Sequence, residues 1–408
     1  MILFYQISIF FYCLAIKIAA LFNPKAKLWL DGRKNIFDKL QEVNSTDNIY
    51  WFHCASLGEF EQAKPVIEKL GKQDPTIKFL ITIFSPSGYK FAKKYHAADY
   101  VFYLPLDTPS NAKRFIELVN PKKVFFVKYE FWYNYLFQLS ENKIPTYLIS
   151  GVFRKNQLFF KWYGNTHKKM LSFFTHFFVQ NENSKNLLNK QGYTNVTISG
   201  DTRLDRVYEN SLNPKSPPLI KEFIGDKKTI ILGSSWSNEE AILLDFIEST
   251  KRDLKFIIAP HDIKKSRIKS IEKLLTNTRY IKYSDATEKN ISNYSVLLID
   301  NIGILANTYQ FTDIAFVGGG YSGALHNMLE PASFGNVVLF GPKHQKFHEA
   351  EELINVNGAY EIKDIDDLIG ITNLLLTDNN LSDTQQINKE YISQGRGASD
   401  KILKQLEF

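Results

Sequence analysis

The stretch AFVGGGYSGALHNMLEPASFGNVVLFGP, residues 315–342, has the pattern of a strand, a glycine-rich turn, a helix and a second strand. Three consecutive glycines after an apolar strand permit positive φ and let the backbone come close to a ligand. A helix after such a turn presents free N–H groups and the positive end of its dipole. The stretch therefore predicts a parallel α/β sheet with a phosphate-binding turn at the carboxyl end of a strand.

Gly318, Gly320 and Gly323 also match the spacing of the dinucleotide fingerprint. That fingerprint belongs to a first βαβ unit and needs an acidic residue near the end of the next strand. Here it lies late in the chain and the next strand ends in GPKH, which argues against a dinucleotide. Glu330, near the predicted helix start, suits the ribose hydroxyls of a mononucleotide; alternatively, it only complements the helix dipole.

Short β-rich runs alternate with helical patterns along most of the chain. The runs are 49–55, 78–84, 99–104, 123–127, 145–150, 176–180 and 195–199, then 228–233, 254–259, 279–284, 295–300, 313–318, 336–341 and 359–363. Continuous apolar runs between helices indicate strands covered on both faces, hence mostly parallel sheets. The proline-rich segment SLNPKSPP (211–218) predicts a hinge. We therefore expect two Rossmann-like doubly wound domains that face a cleft, residues 23–210 and 227–408, with 211–226 as linker.

Composition narrows the function classes. The chain has 408 residues and a formal net charge of +7, with lysines dispersed rather than clustered, which disfavours nucleic acid. An anionic ligand or a membrane surface fits the positive charge equally well. Two cysteines, Cys13 and Cys54, exclude a disulfide framework and indicate a reducing compartment.

Residues 1–22 form an apolar N-terminal segment. It is broken only by Gln6, Ser8 and Lys17, and a helix of this length measures about 32 Å, close to a hydrocarbon core. We expect a membrane-anchor helix, and the basic residues that follow place the rest of the chain on the cytoplasmic side. The alternative is a buried or interfacial amphipathic helix.

Three candidate sites follow strands of the first half. In HCASLGE (53–59), Glu59 is either a general base or the partner of Ser56 in an S-x-x-E capping box; residue types alone favour the cap. Glu130 lies among aromatic residues in KYEFWYN (128–134), where partial burial would raise its pKa or demand a partner. Arg203 in GDTRLDR (200–206) could bind a phosphate, or form an ion pair with a neighbouring aspartate.

Three turns of the second half also follow predicted strands. They are GSSWSNEE (233–240), PHDIKKS (260–266) and DNIGILAN (300–307). Each alone is compatible with simple turn chemistry. Their recurrence at one edge of one sheet favours a nucleotide site.

Taken in order, these motifs resemble those of the Kdo transferases, which add 3-deoxy-D-manno-octulosonic acid (Kdo) to the lipid A precursor. The similarity covers nearly the whole chain and rests on the N-terminal segment, ASLGE, LPLDTP (104–109), YEFWYN, GDTRLD, PHD, DNIG and the stretch 315–342. The most specific part is HN-x-LEP followed by FGP.

The resemblance implies a glycosyltransferase-B fold, a CMP-Kdo donor and catalysis without a metal or other cofactor. It gives Glu59 the position of the general base and Glu130 that of a glutamate acting on the transition state. Arg203 stands where the family usually has lysine. The implied CMP-binding positions are Pro260, His261, Ile302, Gly303, Ile304, Asn327, Met328, Leu329 and Glu330. Ile304 and Met328 depart from the family's frequent glutamate and proline, and an arginine that usually precedes the histidine at 261 is missing.

The expected function is inverting transfer of Kdo from CMP-Kdo to a hydroxyl of the lipid A precursor (lipid IVA), in lipopolysaccharide biosynthesis at the inner membrane. Residues 23–210 would bind this lipid acceptor and residues 227–408 the CMP-sugar; no nucleic acid partner is expected. Two alternatives stay open. One is a UDP-sugar-dependent transferase or epimerase of the same fold, and the other is a non-catalytic nucleotide-sugar-binding membrane scaffold.

Overall fold

The computed structural model describes residues 2–128 and 130–406. The chain divides into two compact units. Unit 1 comprises residues 1–206 and 395–408, and unit 2 comprises residues 207–394. The short C-terminal segment therefore belongs with the N-terminal unit, and the predicted assignment of residues 227–408 to a single second domain is wrong for residues 395–408.

Unit 1 contains a seven-stranded sheet in the order β3-β2-β1-β4-β5-β6-β7, and all its neighbouring strands are parallel. Its strands are β1 Asn48–Cys54, β2 Ile77–Ile83, β3 Tyr100–Tyr103, β4 Lys123–Val127, β5 Thr146–Gly151, β6 His176–Val179 and β7 Val196–Ile198. Its helices are α1 Ile2–Ala19, α2 Pro24–Arg33, α3 Ile36–Lys39, α4 Leu57–Gln73, α5 Pro86–Ala92, α6 Pro109–Val119, α7 Tyr133–Glu141, α8 Asn165–Leu171, α9 Glu182–Asn189, α10 Thr202–Leu212, which runs on into unit 2, and α19 Ala398–Gln405.

Unit 2 repeats this architecture with the order β10-β11-β9-β8-β12-β13-β14, again with parallel neighbours. Its strands are β8 Thr229–Ser235, β9 Lys255–Pro260, β10 Tyr280–Lys282, β11 Val296–Leu298, β12 Ile314–Val317, β13 Val337–Phe340 and β14 Ala359–Glu361. Its helices are α11 Ile220–Ile224, α12 Ser237–Ser249, α13 Lys265–Leu274, α14 Leu305–Thr308, α15 Leu329–Ser333, α16 His348–Asn355, α17 Ile365–Leu375 and α18 Asn380–Gly395. The predicted doubly wound α/β class is confirmed.

Both faces of each sheet are covered, as the continuous apolar runs predicted. On β1, Trp51 points into one core cluster while Phe52 and Cys54 point into the other, because side chains alternate along a strand. The second cluster also contains Ile402 and Leu403 of α19. This contact explains why the C-terminal helix belongs to unit 1.

Asp205 fixes the start of α19. Its carboxylate accepts hydrogen bonds from the backbone N–H of Gly397 (2.5 Å), Ala398 (3.3 Å) and Ser399 (2.7 Å) and from the Ser399 hydroxyl (2.6 Å). A buried carboxylate at a helix N-terminus satisfies donors that have no partner within the helix. In GDTRLDR, Asp205 thus serves as a cap for a helix nearly 200 residues further along the chain.

The N-terminal segment forms one continuous helix, α1, with no charged residue before Lys17. Across residues 2–128 and 130–406, α1 is the helix whose length and apolar composition would allow it to cross a membrane. A signal sequence or a buried core helix meets the same criteria. Most of its side chains are exposed, which distinguishes it from a core helix.

Candidate active site

In unit 1 the strand order reverses between β1 and β4, which lie side by side although β2 and β3 separate them in sequence. Ligands of doubly wound sheets bind at such a switch point, beyond the carboxyl ends of the strands. Glu59 lies in the first turn of the helix after β1, and Glu130 follows β4. The topology therefore brings the two carboxylates, 71 positions apart in sequence (130 − 59), to one edge of the sheet.

Glu59 forms the capping box that the sequence allowed. Its Oε2 accepts hydrogen bonds from the backbone N–H of Ala55 (2.5 Å) and Ser56 (2.9 Å), while the Ser56 hydroxyl accepts from the Glu59 N–H (3.4 Å). Among the described atoms, these bonds engage only Oε2, which leaves Oε1 to take a proton. The cap and the base are therefore compatible roles, because the cap fixes the carboxylate in place.

The surroundings of Glu59 disfavour its charge. The residue is only 7% exposed, and burial, followed by the negative charge of Glu130, raises its pKa from 4.5 to about 7. The two backbone donors and the charge of Lys128 act in the opposite direction. A carboxylate with a pKa near 7 suits general base catalysis at neutral pH.

His53 is a site residue that was not predicted from the sequence. It is fully buried, its Nδ1 lies 2.8 Å from the Thr82 hydroxyl, and its Nε2 accepts from the indole N–H of Trp132 at 3.1 Å. An indole nitrogen can only donate, so Nε2 is an acceptor and the proton resides on Nδ1. The Nε2 atom also lies 3.8 Å from a carboxylate oxygen of Glu130.

The residues that flank Glu130 have a special backbone conformation on one side and fixed side-chain contacts on the other. Lys128 has a φ of +62°, an uncommon conformation for a residue with a side chain and one that clusters at functional sites. Trp132 stacks on Phe84 at 5.2 Å between ring centroids and bonds to His53. These contacts position the Glu130 carboxylate, whose side chain keeps 21% of its surface exposed.

Arg203 forms the ion pair that the sequence analysis named as its alternative role. Its Nε and one terminal nitrogen donate to the same oxygen of Asp201, at 2.8 and 2.5 Å. Although burial raises the pKa of Asp201, the charge of Arg203 and several hydrogen bonds hold it below its usual range. Whether Arg203 also acts on substrate stays a prediction.

In unit 2 the strand order reverses between β8 and β12, where GSSW and the triple glycine end their strands. The helix predicted near Glu330 is present but short: α15 begins at Leu329, directly after His326-Asn327 and Met328, and is five residues long. Tight packing explains the glycines. A Cβ on Gly318 would lie 2.1 Å from the Ser234 carbonyl oxygen, and one on Gly320 would lie 2.3 Å from the Gly341 nitrogen.

The backbone of this turn is also used within the fold. The N–H of Gly319 donates to the buried carboxylate of Glu239 at 2.8 Å, and the N–H of Gly318 donates to the Gly233 carbonyl. Both donors are therefore unavailable to a phosphate. The turn joins neighbouring strand ends, and the interpretation as a simple phosphate cradle requires correction.

Three rings stack at the same edge of unit 2. The ring of His261, after β9, lies 4.7 Å from Trp236, after β8, and 4.5 Å from His326, after β12, between centroids. The Trp236 indole donates to His326 Nε2 at 3.3 Å. Burial and then the charge of His261 lower the pKa of His326 to about 4, so this ring is neutral at pH 7. Trp236 and His326 were not among the predicted ligand contacts.

The other residues predicted to bind CMP differ in whether their side chains are accessible to a ligand. Asn327 accepts from the Leu329 N–H at 3.1 Å and donates to Glu330 at 3.0 Å, which fixes the start of α15. The side chains of Met328 and Leu329 are buried, so any contact with a ligand must use their backbone. The loop 302–304 has an exposed isoleucine and a glycine with a φ of +102°. Pro260 ends β9, just before His261.

Comparison with known proteins shows which family the chain resembles. Residues 31–206 match the family model described as 3-deoxy-D-manno-octulosonic-acid transferase (kdotransferase). Over 343 residues the chain is 28% identical to a 3-deoxy-D-manno-octulosonic acid transferase of Aquifex aeolicus, covering 82% of this chain and 88% of that one. The chain therefore resembles this transferase family over most of its length. The predicted resemblance to the Kdo transferases is confirmed, and these relatives indicate an enzyme of the glycosyltransferase class.

Two further proteins are similar to this chain, one in sequence and one in fold. A bifunctional glycosyltransferase/methyltransferase of Fusobacterium nucleatum is 27% identical over 376 residues, which is 88% of this chain but only 58% of the longer relative. The UDP-GlcNAc 2-epimerase of Neisseria meningitidis, solved with UDP-GlcNAc, superimposes with a TM-score of 0.63 over 88% of this chain and 99% of its own, at 18% identity. That likeness concerns the fold and confirms the glycosyltransferase-B class.

Proposed function

We propose that this protein transfers Kdo from CMP-Kdo to a hydroxyl group of a lipid A precursor, with Glu59 as the general base. The observation that carries the proposal is the Glu59 site. A buried carboxylate is fixed by two backbone N–H donors at the sheet's switch point, and its pKa is raised to about 7. The resemblance to the Kdo transferases supplies the substrate classes.

The reaction replaces one bond at the anomeric carbon of Kdo. The acceptor oxygen attacks this carbon on the face opposite CMP, and its proton passes to Oε1 of Glu59. The bond from the anomeric carbon to the phosphate oxygen breaks, and CMP leaves with the electron pair. An alcohol needs such a base because its own acidity is far too weak at neutral pH.

Glu130 acts on the same transition state. Ketose transfer passes through a carbon centre with cationic character, which a nearby carboxylate stabilises. The negative charge of Glu130 also contributes to the raised pKa of Glu59 and so keeps the base from being too weak. The buried His53 fixes the segment that carries Glu130 through its hydrogen bond from the Trp132 indole and does not itself react.

Unit 2 binds the CMP moiety. The ring stack of Trp236, His261 and His326 and the exposed loop 302–304 offer aromatic faces and backbone groups at one edge of the sheet. The resemblance to the Kdo transferases implies catalysis without a metal ion, and we expect turnover in the presence of EDTA. We also propose that the chain works at the cytoplasmic face of the inner membrane, where α1 keeps it near its lipid acceptor.

Donor choice tests this proposal against a UDP-sugar enzyme of the same fold. Purified full-length protein in detergent micelles would receive the lipid acceptor together with either CMP-Kdo or UDP-GlcNAc. We expect release of CMP that depends on the acceptor, and neither release of UDP nor epimerisation of UDP-GlcNAc. Turnover of the UDP-sugar without turnover of CMP-Kdo would overturn the proposed function.

A further inference from the structure

Helix α1 has one packed stripe and a broad exposed apolar surface. The residues with reduced exposure recur every three or four positions, at Tyr5, Ile9, Cys13 and Ile16, as expected for one face of a helix. The remaining apolar side chains are open. Phe4 is 75% exposed and Phe10 is 66% exposed, and the further exposed ones are Ile2, Leu3, Ile7, Phe11, Tyr12, Leu14 and Ile18.

The packed stripe contacts unit 1 near the start of the helix. The Tyr5 hydroxyl donates to Asp107 at 2.6 Å and accepts from the Tyr133 N–H at 3.2 Å. The Gln6 amide donates to the side chain of Asn134 at 2.7 Å. These bonds tie the first turns of α1 to the carboxyl edge of the sheet, where α7 begins.

Other side chains of α1 also contact unit 1 further along the helix. Tyr12 packs against Trp29 and Phe84, with centroid distances of 6.3 and 6.4 Å. Cys13 and Lys17 line a cavity of about 420 Å³ together with Arg33. A helix rises about 18 Å from Tyr5 to Lys17, so unit 1 contacts α1 along most of its length.

This arrangement conflicts with a helix that crosses a bilayer. A spanning α1 would carry Tyr5 to the far side of the membrane, or would draw the buried Asp107 into hydrocarbon with it, which is costly for an ionisable group. Releasing Tyr5 instead would remove one donor to the Asp107 carboxylate, which also accepts from the backbone N–H groups of Asn134 and Tyr135. Removing a partner from a buried charged group typically costs more than losing an exposed hydrogen bond.

We propose that α1 lies in the plane of the membrane leaflet, with its exposed apolar side in lipid and its packed stripe on unit 1. The occupant of this surface is a lipid bilayer. The exposed face carries no acidic residue, and the positive charges Lys17, Lys25 and Lys27 at its end suit anionic headgroups. Unit 1 presents a second segment of interfacial residue types at Trp162, 88% exposed, and Tyr163.

Depth measurements along α1 test this placement. A Cys13→Ser background, in which the remaining Cys54 is fully buried, would receive Leu3→Cys, Phe10→Cys or Ile18→Cys. Each cysteine would carry a fluorophore, and the protein would bind phosphatidylcholine vesicles that contain phosphatidylglycerol and spin-labelled lipids. An in-plane helix predicts the same shallow depth at all three positions. The matched control, Lys72→Cys at the end of α4, should not be quenched.

Two results would overturn the inference. A depth profile with its maximum at position 10 and shallow positions on opposite leaflets for 3 and 18 is the signature of a spanning helix. Failure of the labelled proteins to bind vesicles at all would remove the lipid partner. Neither readout requires turnover, so the outcome is independent of the proposed reaction.

Discussion

At the scale of single residues, Glu59 unites two interpretations that the sequence left as alternatives. Its carboxylate closes the capping box with Ser56, and the same carboxylate is buried with a raised pKa. The capping box was predictable because it depends on residues three positions apart. The raised pKa was not, because Glu130 and the burial come from strand order. His53 was missed for the same reason, since Thr82 and Trp132 reach it only through the fold.

The pKa of Glu59 predicts how the rate depends on pH. A base must be ionised to accept a proton, and burial together with Glu130 places the pKa at about 7. We therefore expect kcat/KM to rise with pH below about 7 and to level off above it, with a slope of about one in the logarithmic plot. Steady-state kinetics between pH 5.5 and 8.5 would measure this. An acid limb near the ordinary carboxylate value would show that Glu59 is not the group that titrates.

The same pKa predicts a stability effect. The pKa of Glu59 is higher in the folded protein than in the unfolded chain. Protonation of Glu59 therefore adds to the free energy of unfolding in full below about pH 4.5, and this contribution is lost as the pH rises through about 7. Glu59→Gln does not undergo this loss, so its free energy of unfolding relative to the parent protein should increase between pH 5 and pH 8, by about 3 kcal/mol at most. Urea unfolding at both pH values measures the difference.

Glu61→Gln is the matched control for that experiment. Glu61 lies on the same helix and pairs with Lys64 near the surface, where an ion pair contributes little. We expect no comparable gain at pH 8 for this variant. An equal gain in both variants would trace the effect to the net charge rather than to the buried site.

At the scale of elements, the strands were predictable and the glycine-rich turn was not. Each predicted run overlaps an observed strand, because continuous apolar β-rich runs have few other structures open to them. Consecutive glycines are ambiguous, since they permit close approach to a ligand and to another backbone alike. At Gly318 and Gly320 the second reason applies.

A pair of glycine substitutions checks this reading. Gly320→Ala would place a Cβ 2.3 Å from the Gly341 nitrogen, so we expect a loss of more than about 2 kcal/mol in stability. Gly370→Ala, inside α17 with no atom within 4 Å of the new Cβ, should instead be neutral or stabilising by up to about 1 kcal/mol. Denaturant unfolding would compare the two. A fully stable Gly320→Ala protein that fails only to bind CMP would restore the phosphate-cradle interpretation.

At the scale of the whole molecule, the C-terminal segment was the feature that sequence order concealed. Proline content suggested a single hinge at 211–218, but α19 returns to unit 1 and packs beside α4. The decisive contacts join Asp205 to residues 397–399, and such long-range partners leave no local pattern in a sequence. The two-sheet architecture, in contrast, followed from the order of apolar runs.

The cap on α19 should matter for the stability of unit 1. Asp205→Ala removes a buried carboxylate that holds four donors, so we expect a loss of about 2–4 kcal/mol in the free energy of unfolding. Asp400→Ala, on the same helix but with a side chain 69% exposed in its pair with Lys69, should cost less than about 1 kcal/mol. Equal stabilities of the two variants would mean that α19 is not held through Asp205.

The central claim is that the chain transfers Kdo to a lipid through Glu59. The most direct measurement is mass spectrometry of the lipid acceptor after incubation with CMP-Kdo and the full-length protein, in parallel with Glu59→Gln. We predict that the parent protein adds the mass of one or more whole Kdo residues, and that Glu59→Gln forms product about 10²–10⁴-fold more slowly while still binding CMP. An acceptor of unchanged mass, or equal product from both proteins, would contradict the account.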